Sequence, residues 1–161
     1  MKTHTPQKIL IALDYDPGAQ IVAEEGFALA KGLSAQVFLL HVLADDLYYS
    51  STAYSPIMGF SGYMNPDAEQ MQDTDRLFKA AQLFLAASKQ HLGEESIETF
   101  VKEGDFATTI LATARNLDAD MIVMGSHGQK WQDVSHTGSV TKKVLHETVL
   151  PLLIIPVKKR N

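Results

Sequence analysis

The sequence predicts an α/β fold: a single doubly wound, Rossmann-like sheet of five parallel strands with helices on both faces. Three features of the chain point to it. Apolar runs of strand length, such as Lys8 to Leu13 and Ala35 to Leu43, are continuous rather than alternating, as expected of strands buried on both faces. Segments with apolar residues at helical spacing separate these runs. The run Met121 to Met124 then breaks at Gly125, with Gly128 and Gly138 following, where an open α/β sheet places its ligand loops.

The first strand, Lys8 to Leu13, ends at Asp14-Tyr-Asp16-Pro17-Gly18. Asp16 suits a helix N-cap and Pro17 a first helical residue, so a helix is expected from Pro17 to Lys31, with Gly32 as its stop. Val22, Ala23, Gly26, Leu29 and Ala30 give that helix an apolar face with small residues. The second strand, Ala35 to Leu43, is followed by a long connection, Ala44 to Asn65, holding Tyr48, Tyr49, Tyr54, Phe60 and Tyr63. A loop of that length with so many aromatic residues is expected to pack against a ligand mouth or a partner subunit.

Asn65, Pro66 and Asp67 open the longest expected helix, about Pro66 to His91, with Phe78, Ala81, Leu85 and Leu92 at helical spacing and Gly93 as stop. Ile97 to Glu103 alternates Ile97, Thr99 and Val101 against Glu98, Phe100 and Lys102, the pattern of a half-exposed edge strand. Gly104 and Asp105 turn the chain into a helix carrying Phe106, Ile110, Ala114 and Leu117. Asp120 to Met124 is the fourth strand, Gly138 to Glu147 the last helix and Leu152 to Val157 the last strand.

A chain of 161 residues suffices for one domain with a sizeable core, taken as residues 1–161. The formal charge of −5 argues against binding nucleic acid or an anionic membrane, which requires a basic face. The absence of cysteine excludes disulfides, thiolate nucleophiles and cysteine metal sites. Neither a signal peptide nor an apolar run approaching the ~20 residues of a membrane span is evident, so the expected location is cytoplasmic.

The stretch Met121-Ile-Val-Met-Gly-Ser-His-Gly128, with Gly138-Ser139-Val140-Thr141 beyond it, reads as a phosphate cradle. Glycines let backbone approach an anion closely, free N–H groups at a helix start point at negative charge, and Ser139 and Thr141 add hydroxyls. Any one glycine by itself needs no ligand, since it can simply turn the chain. The pattern is neither a Walker loop nor the dinucleotide fingerprint, for no Gly-Lys-Ser/Thr and no G-x-G-x-x-G occurs. His136, Asp133 and Ser135 lie close in sequence without a nucleophile elbow, and the six histidines show no H-x-x-x-H spacing.

Gly125-x2-Gly128-x9-Gly138-Ser139 resembles the nucleotide-binding signature G-x2-G-x9-G-S/T of the universal stress protein family, in its ATP-binding subclass. The likeness extends to the first strand, the Met121 to Ser126 segment and the terminal Pro151-Leu-Leu-Ile-Ile-Pro156-Val157. The resemblance implies strand order 3-2-1-4-5, with a switch point between the first and fourth strands where Asp14 and Gly125 meet.

It implies binding of ATP, or of ADP or AMP, with magnesium held mainly through the phosphates. Asp14 is expected to hold the ribose or adenine end, although a carboxylate there would also serve as a cap. Ala12, Leu13, Val42 and Met124 would form the apolar slot for the base. Gly125 and Ser126 would approach the ribose and first phosphate; Gly128, Gly138, Ser139 and Val140 would cradle the others, with Thr141 nearby. His127 stands where the family often has arginine, and Asp16 where a serine is common. His127 makes binding sensitive to pH near neutrality.

The implied role is a regulatory, stress-response module that forms a homodimer through Leu152 to Val157, with Pro156 limiting the pairing. The alternatives are a dimerising interaction module of the same fold that retains no nucleotide, and a slow ATPase.

Overall fold

The computed structural model describes residues 4–15, 18–44, 74–126 and 139–157. Among them are five strands, β1 (Lys8–Ala12), β2 (Gln36–Leu43), β3 (Glu98–Glu103), β4 (Met121–Gly125) and β5 (Leu152–Ile155). Four helices, α1 (Ala19–Gly32), α2 (Thr74–Leu92), α3 (Phe106–Asn116) and α4 (Ser139–Glu147), alternate with them. The strands form one all-parallel sheet in the order β3-β2-β1-β4-β5, as the resemblance implied. The central strand β1 pairs Ile9, Leu10 and Ile11 with Val37, Phe38 and Leu39 on one side and with Met121, Ile122 and Val123 on the other.

The continuous apolar runs feed two cores. Ile9, Ile11, Leu39 and Val123 face α1 and α2, meeting Val22, Ala23 and Ala30 of α1 and Leu77, Ala81, Phe84 and Leu85 of α2. Leu10, Phe38, Leu40 and Ile122 point the other way, onto Ala107, Ile110 and Ala114 of α3 and Val144 of α4. Each aliphatic side chain so buried contributes about 1.5–3 kcal/mol. Gly26 permits the close approach of α1: a Cβ there would lie 2.9 Å from Ile11 Cδ1 and 3.1 Å from Val123 Cγ1. Among the described residues no helix is long and apolar enough to cross a membrane.

Several local expectations need correction. Helix α1 starts at Ala19, and Gly18 is its cap, its carbonyl accepting from Val22 N at 3.1 Å. The expected cap Asp16 and first helical residue Pro17 lie outside the described residues. Gly32 is the last helical residue, and the left-handed stop is Ser34, φ 56°. Ala35 N reaches Ala30 O at 2.8 Å and Ser34 N reaches Lys31 O at 3.1 Å, the paired bonds of a Schellman motif. The same motif closes α3, with Asp118 left-handed at φ 52° and Ala119 N on Ala114 O. Gly93, φ 70°, ends α2 as expected.

On α2 the inner face is Leu77, Ala81, Phe84, Leu85 and Ser88, whereas Phe78 is 40% exposed. Leu77 takes the inner position because it lies four residues before Ala81 and seven before Phe84. The part of that helix expected before Thr74, and the aromatic loop 45–65, lie outside the described residues. Strand β5 stops at Ile155, short of the expected Val157; Pro156 follows it on the side away from β4, since Ile155 O and Val157 N are the groups turned toward Ser126.

Candidate functional site

The carboxyl ends of β1 and β4 lie side by side, so Asp14 and Gly125 emerge at the same edge of the sheet. Past β1, Leu13 N donates to Leu40 O at 2.8 Å, and Leu13 O accepts from His41 Nδ1 at 2.7 Å. Asp14 follows, half-buried. Past β4, Ser126 N donates to Ile155 O at 2.9 Å and Ser126 Oγ accepts from Val157 N at 3.4 Å. Both strand exits are thus held by the neighbouring strand.

Gly125 has a packing reason for its missing side chain. A Cβ there would come within 3.1 Å of Val22 Cγ2 and 3.4 Å of Val157 Cγ1. Its carbonyl accepts from Thr141 Oγ1 at 3.1 Å, which ties the first turn of α4 to the end of β4. The N–H groups of that turn, from Ser139, Val140 and Thr141, have no intrahelical acceptor, and no acidic residue occupies the turn. A positive dipole end beside a strand terminus suits a phosphate.

The structure sorts the expected base slot by strand alternation. Ala12, Val42, Met124 and Val140 share the cluster beneath α3 and α4. The side chain of Leu13 belongs to the opposite cluster, under α1 and α2, apart from these four. The hydroxyl of Thr141 is occupied by Gly125, leaving its N–H as the group available to an anion. His127, Gly128 and Gly138 lie outside the described residues.

Beside the start of α4 a cleft of about 590 Å³ opens against the amino end of α3, with Ser139, Val140 and Lys143 on one wall and Glu103, Gly104 and Asp105 on the other. It takes in two cradle residues but not Ala12, Val42 or Met124. Asp105 caps α3, its Oδ2 accepting from Thr108 N at 3.0 Å and Thr108 Oγ1 at 2.7 Å. Lys143 Nζ reaches the same oxygen at 3.1 Å. The Thr108 hydroxyl first, then its N–H and Lys143, hold the Asp105 carboxyl down to about 2. An N-cap is worth ~1 kcal/mol and an exposed ion pair less, so Asp105 acts chiefly as a cap.

Two functional candidates escaped sequence reasoning. The Asp105 to Lys143 link joins the start of α3 to the middle of α4; the Asp-x-x-Thr spacing signals the cap, but nothing local signals Lys143. His41, 2% exposed, packs against Tyr15 at 4.3 Å between ring centroids with the planes tilted by 40°, and meets Phe84 edge-on at 5.7 Å. Burial pushes its pKa down to about 4, against the smaller opposing effect of the Leu13 carbonyl. The imidazole is therefore neutral at pH 7. Its signal was a lone histidine inside an apolar strand.

Comparison with known proteins identifies the family and the fold. The family model described as "Universal stress protein family" matches residues 5–156. Universal stress protein Sll1388 of Synechocystis is 29% identical over 154 residues, covering 92% of this chain and 96% of that protein. Among solved structures, the hypothetical protein MJ0577 superimposes with a TM-score of 0.73 at 22% identity, covering 98% of this chain and 100% of that one. A universal stress protein in complex with cAMP gives 0.64 at 14% identity, over 96% and 100% of the two chains. The universal stress protein of Archaeoglobus fulgidus in complex with dAMP gives 0.58 at 18%, over 94% and 99%.

Proposed function

The chain belongs to the universal stress protein family, and on that premise we propose that it binds an adenine nucleotide at the carboxyl ends of β1 and β4 and acts as a regulatory, stress-response module. The observation that carries the reading is the Thr141 to Gly125 hydrogen bond, which sets the amino end of α4 against the end of β4. That is where a parallel sheet with this strand order takes ligands. The neighbours of like fold in complex with cAMP and dAMP support an adenine nucleotide; the glycine motif extends the reading to ATP.

In this reading Asp14 accepts from ribose hydroxyls, and Ala12, Val42 and Met124 line the base slot with the backbone of Leu13. Gly125 and Ser126 approach the ribose and first phosphate. The N–H groups of Ser139, Val140 and Thr141 and the Ser139 hydroxyl hold the outer phosphates; His127, Gly128 and Gly138 join them by the motif. Among the described residues no group of three or more histidines and carboxylates is placed to hold a metal. Magnesium would therefore rest on phosphate oxygens and water, neutralising charge there.

We assign a homodimer to the β5 edge. Leu152, Leu153 and Ile154 are half-buried on that edge strand, and the preceding Leu145 and Val149 are exposed, Val149 at 96%. Exposed apolar edges call for cover. A light-scattering mass of one chain at tens of micromolar would contradict this.

The test of the nucleotide reading is calorimetric titration of the nucleotide-free protein with ATP, ADP and AMP, with magnesium present. A Kd of about 10 μM or tighter for one of them supports it. The absence of binding to all three would leave the dimerising interaction module as the better reading.

A further inference from the structure

His41 lies outside the signature, yet it grips the chain at the residue before Asp14. Its Nδ1 lies 2.7 Å from Leu13 O, and a carbonyl oxygen only accepts, so Nδ1 carries the proton. Nε2 is then bare. It is buried and has no hydrogen-bond partner among the described residues. The other side of the same residue is also fixed, since Leu13 N donates to Leu40 O at 2.8 Å. Strand β2 thus holds both backbone polar groups of Leu13, one by its own backbone and one by a side chain.

The ring is clamped in turn. Tyr15, two residues past Leu13, lies over it at 4.3 Å, and Phe84 of α2 packs edge-on against both rings, at 5.7 Å from His41 and 5.0 Å from Tyr15. Asp14 sits between the two fixed residues, Leu13 and Tyr15. An aliphatic or phenyl side chain at position 41 would fill the volume. It could not donate to Leu13 O, and that carbonyl would be left buried without its imidazole donor.

We propose that His41 is a positioning residue of the nucleotide site: its Nδ1–H and its tilted ring contact with Tyr15 fix the exit of β1 so that Asp14 is presented at the switch point. This rests on the nucleotide reading above. It assigns a site role to a residue that would touch no ligand, and it explains a polar ring in the buried part of a strand otherwise built there of Val37, Phe38, Leu39, Leu40, Val42 and Leu43.

Three variants test it. His41→Asn keeps a donor, Nδ2, at the topological position of Nδ1 and loses the ring. His41→Phe keeps the ring and loses the donor. Asp14→Ala removes the group being positioned. The expected result is that His41→Phe weakens ATP binding about tenfold while remaining folded by circular dichroism, that His41→Asn restores most of the affinity despite lower thermal stability, and that His41→Phe costs nothing further in the Asp14→Ala background.

Affinity would then follow the donor, and stability the ring. Wild-type affinity in His41→Phe, or an undiminished tenfold loss in the Asp14→Ala background, would overturn the inference while leaving nucleotide binding in place. A wild-type protein that takes up no nucleotide would overturn both. Nitrogen-15 spectra of the ligand-free protein add an independent check: a ring protonated at Nε2 rather than Nδ1 would also overturn it.

Discussion

Thr141 and Gly125, sixteen residues apart, are joined by a 3.1 Å hydrogen bond from the threonine hydroxyl to the glycine carbonyl. The bond fixes the strand end and the helix start relative to each other before any ligand arrives. Thr141→Val should cost about 1 kcal/mol of stability and weaken nucleotide binding several-fold, and Thr141→Ser should restore both. Thermal denaturation and titration of the three proteins check this. Unchanged affinity in the valine variant would remove the latch from the account.

Two glycines of α1 should respond in opposite directions. A Cβ at Gly32 would meet nothing within 4 Å, and the residue lies in the last helical position, so Gly32→Ala should stabilise the protein by about 0.5–1 kcal/mol. Gly26 faces Ile11 and Val123 at 2.9 and 3.1 Å, so Gly26→Ala should destabilise by about 1–3 kcal/mol through overpacking. Denaturant midpoints of the pair measure both signs at once.

Acid should act through His41. Its folded pKa is about 4 against an ordinary 6.5, so between those values the unfolded state binds the extra proton and stability falls as pH falls. The shift corresponds to about 2–3 kcal/mol lost between pH 7 and 4.5. His41→Phe should be flatter across that window by a similar amount. Asp105, with a folded value near 2, contributes stability that is present above its ordinary 3.8 and is lost only as pH falls toward 2. The two groups therefore separate on a pH titration of unfolding.

Much of the fold was legible because the strands are buried on both faces and therefore read as unbroken apolar runs. The alternation rule also held more information than was drawn from it: Leu13 is in step with Ile9 and Ile11, which already excludes its side chain from the face of Ala12. The stop of α1 was misplaced because Ser34, not a glycine, takes the left-handed position, and its sequence neighbours gave no sign of that. Phe78 shares helical spacing with Ala81 and Leu85 yet is exposed, because the phase of α2 is set by Leu77, Ala81 and Phe84 together. At the site, Asp14 and Gly125 could be brought together once the strand order was given. The roles of His41 and Thr141 could not, because each acts on a backbone carbonyl distant in sequence.

The central claim, that the amino end of α4 holds phosphate, is tested most directly by Ser139→Glu. A carboxylate in the first turn favours the helix dipole, so the fold should be kept or slightly strengthened, while a phosphate at the same N–H groups is repelled. Calorimetric titration with ATP and magnesium should show binding to the wild-type protein and at least about a tenfold loss in the variant at unchanged melting temperature. Equal affinity in the two proteins would place the nucleotide elsewhere and contradict the account.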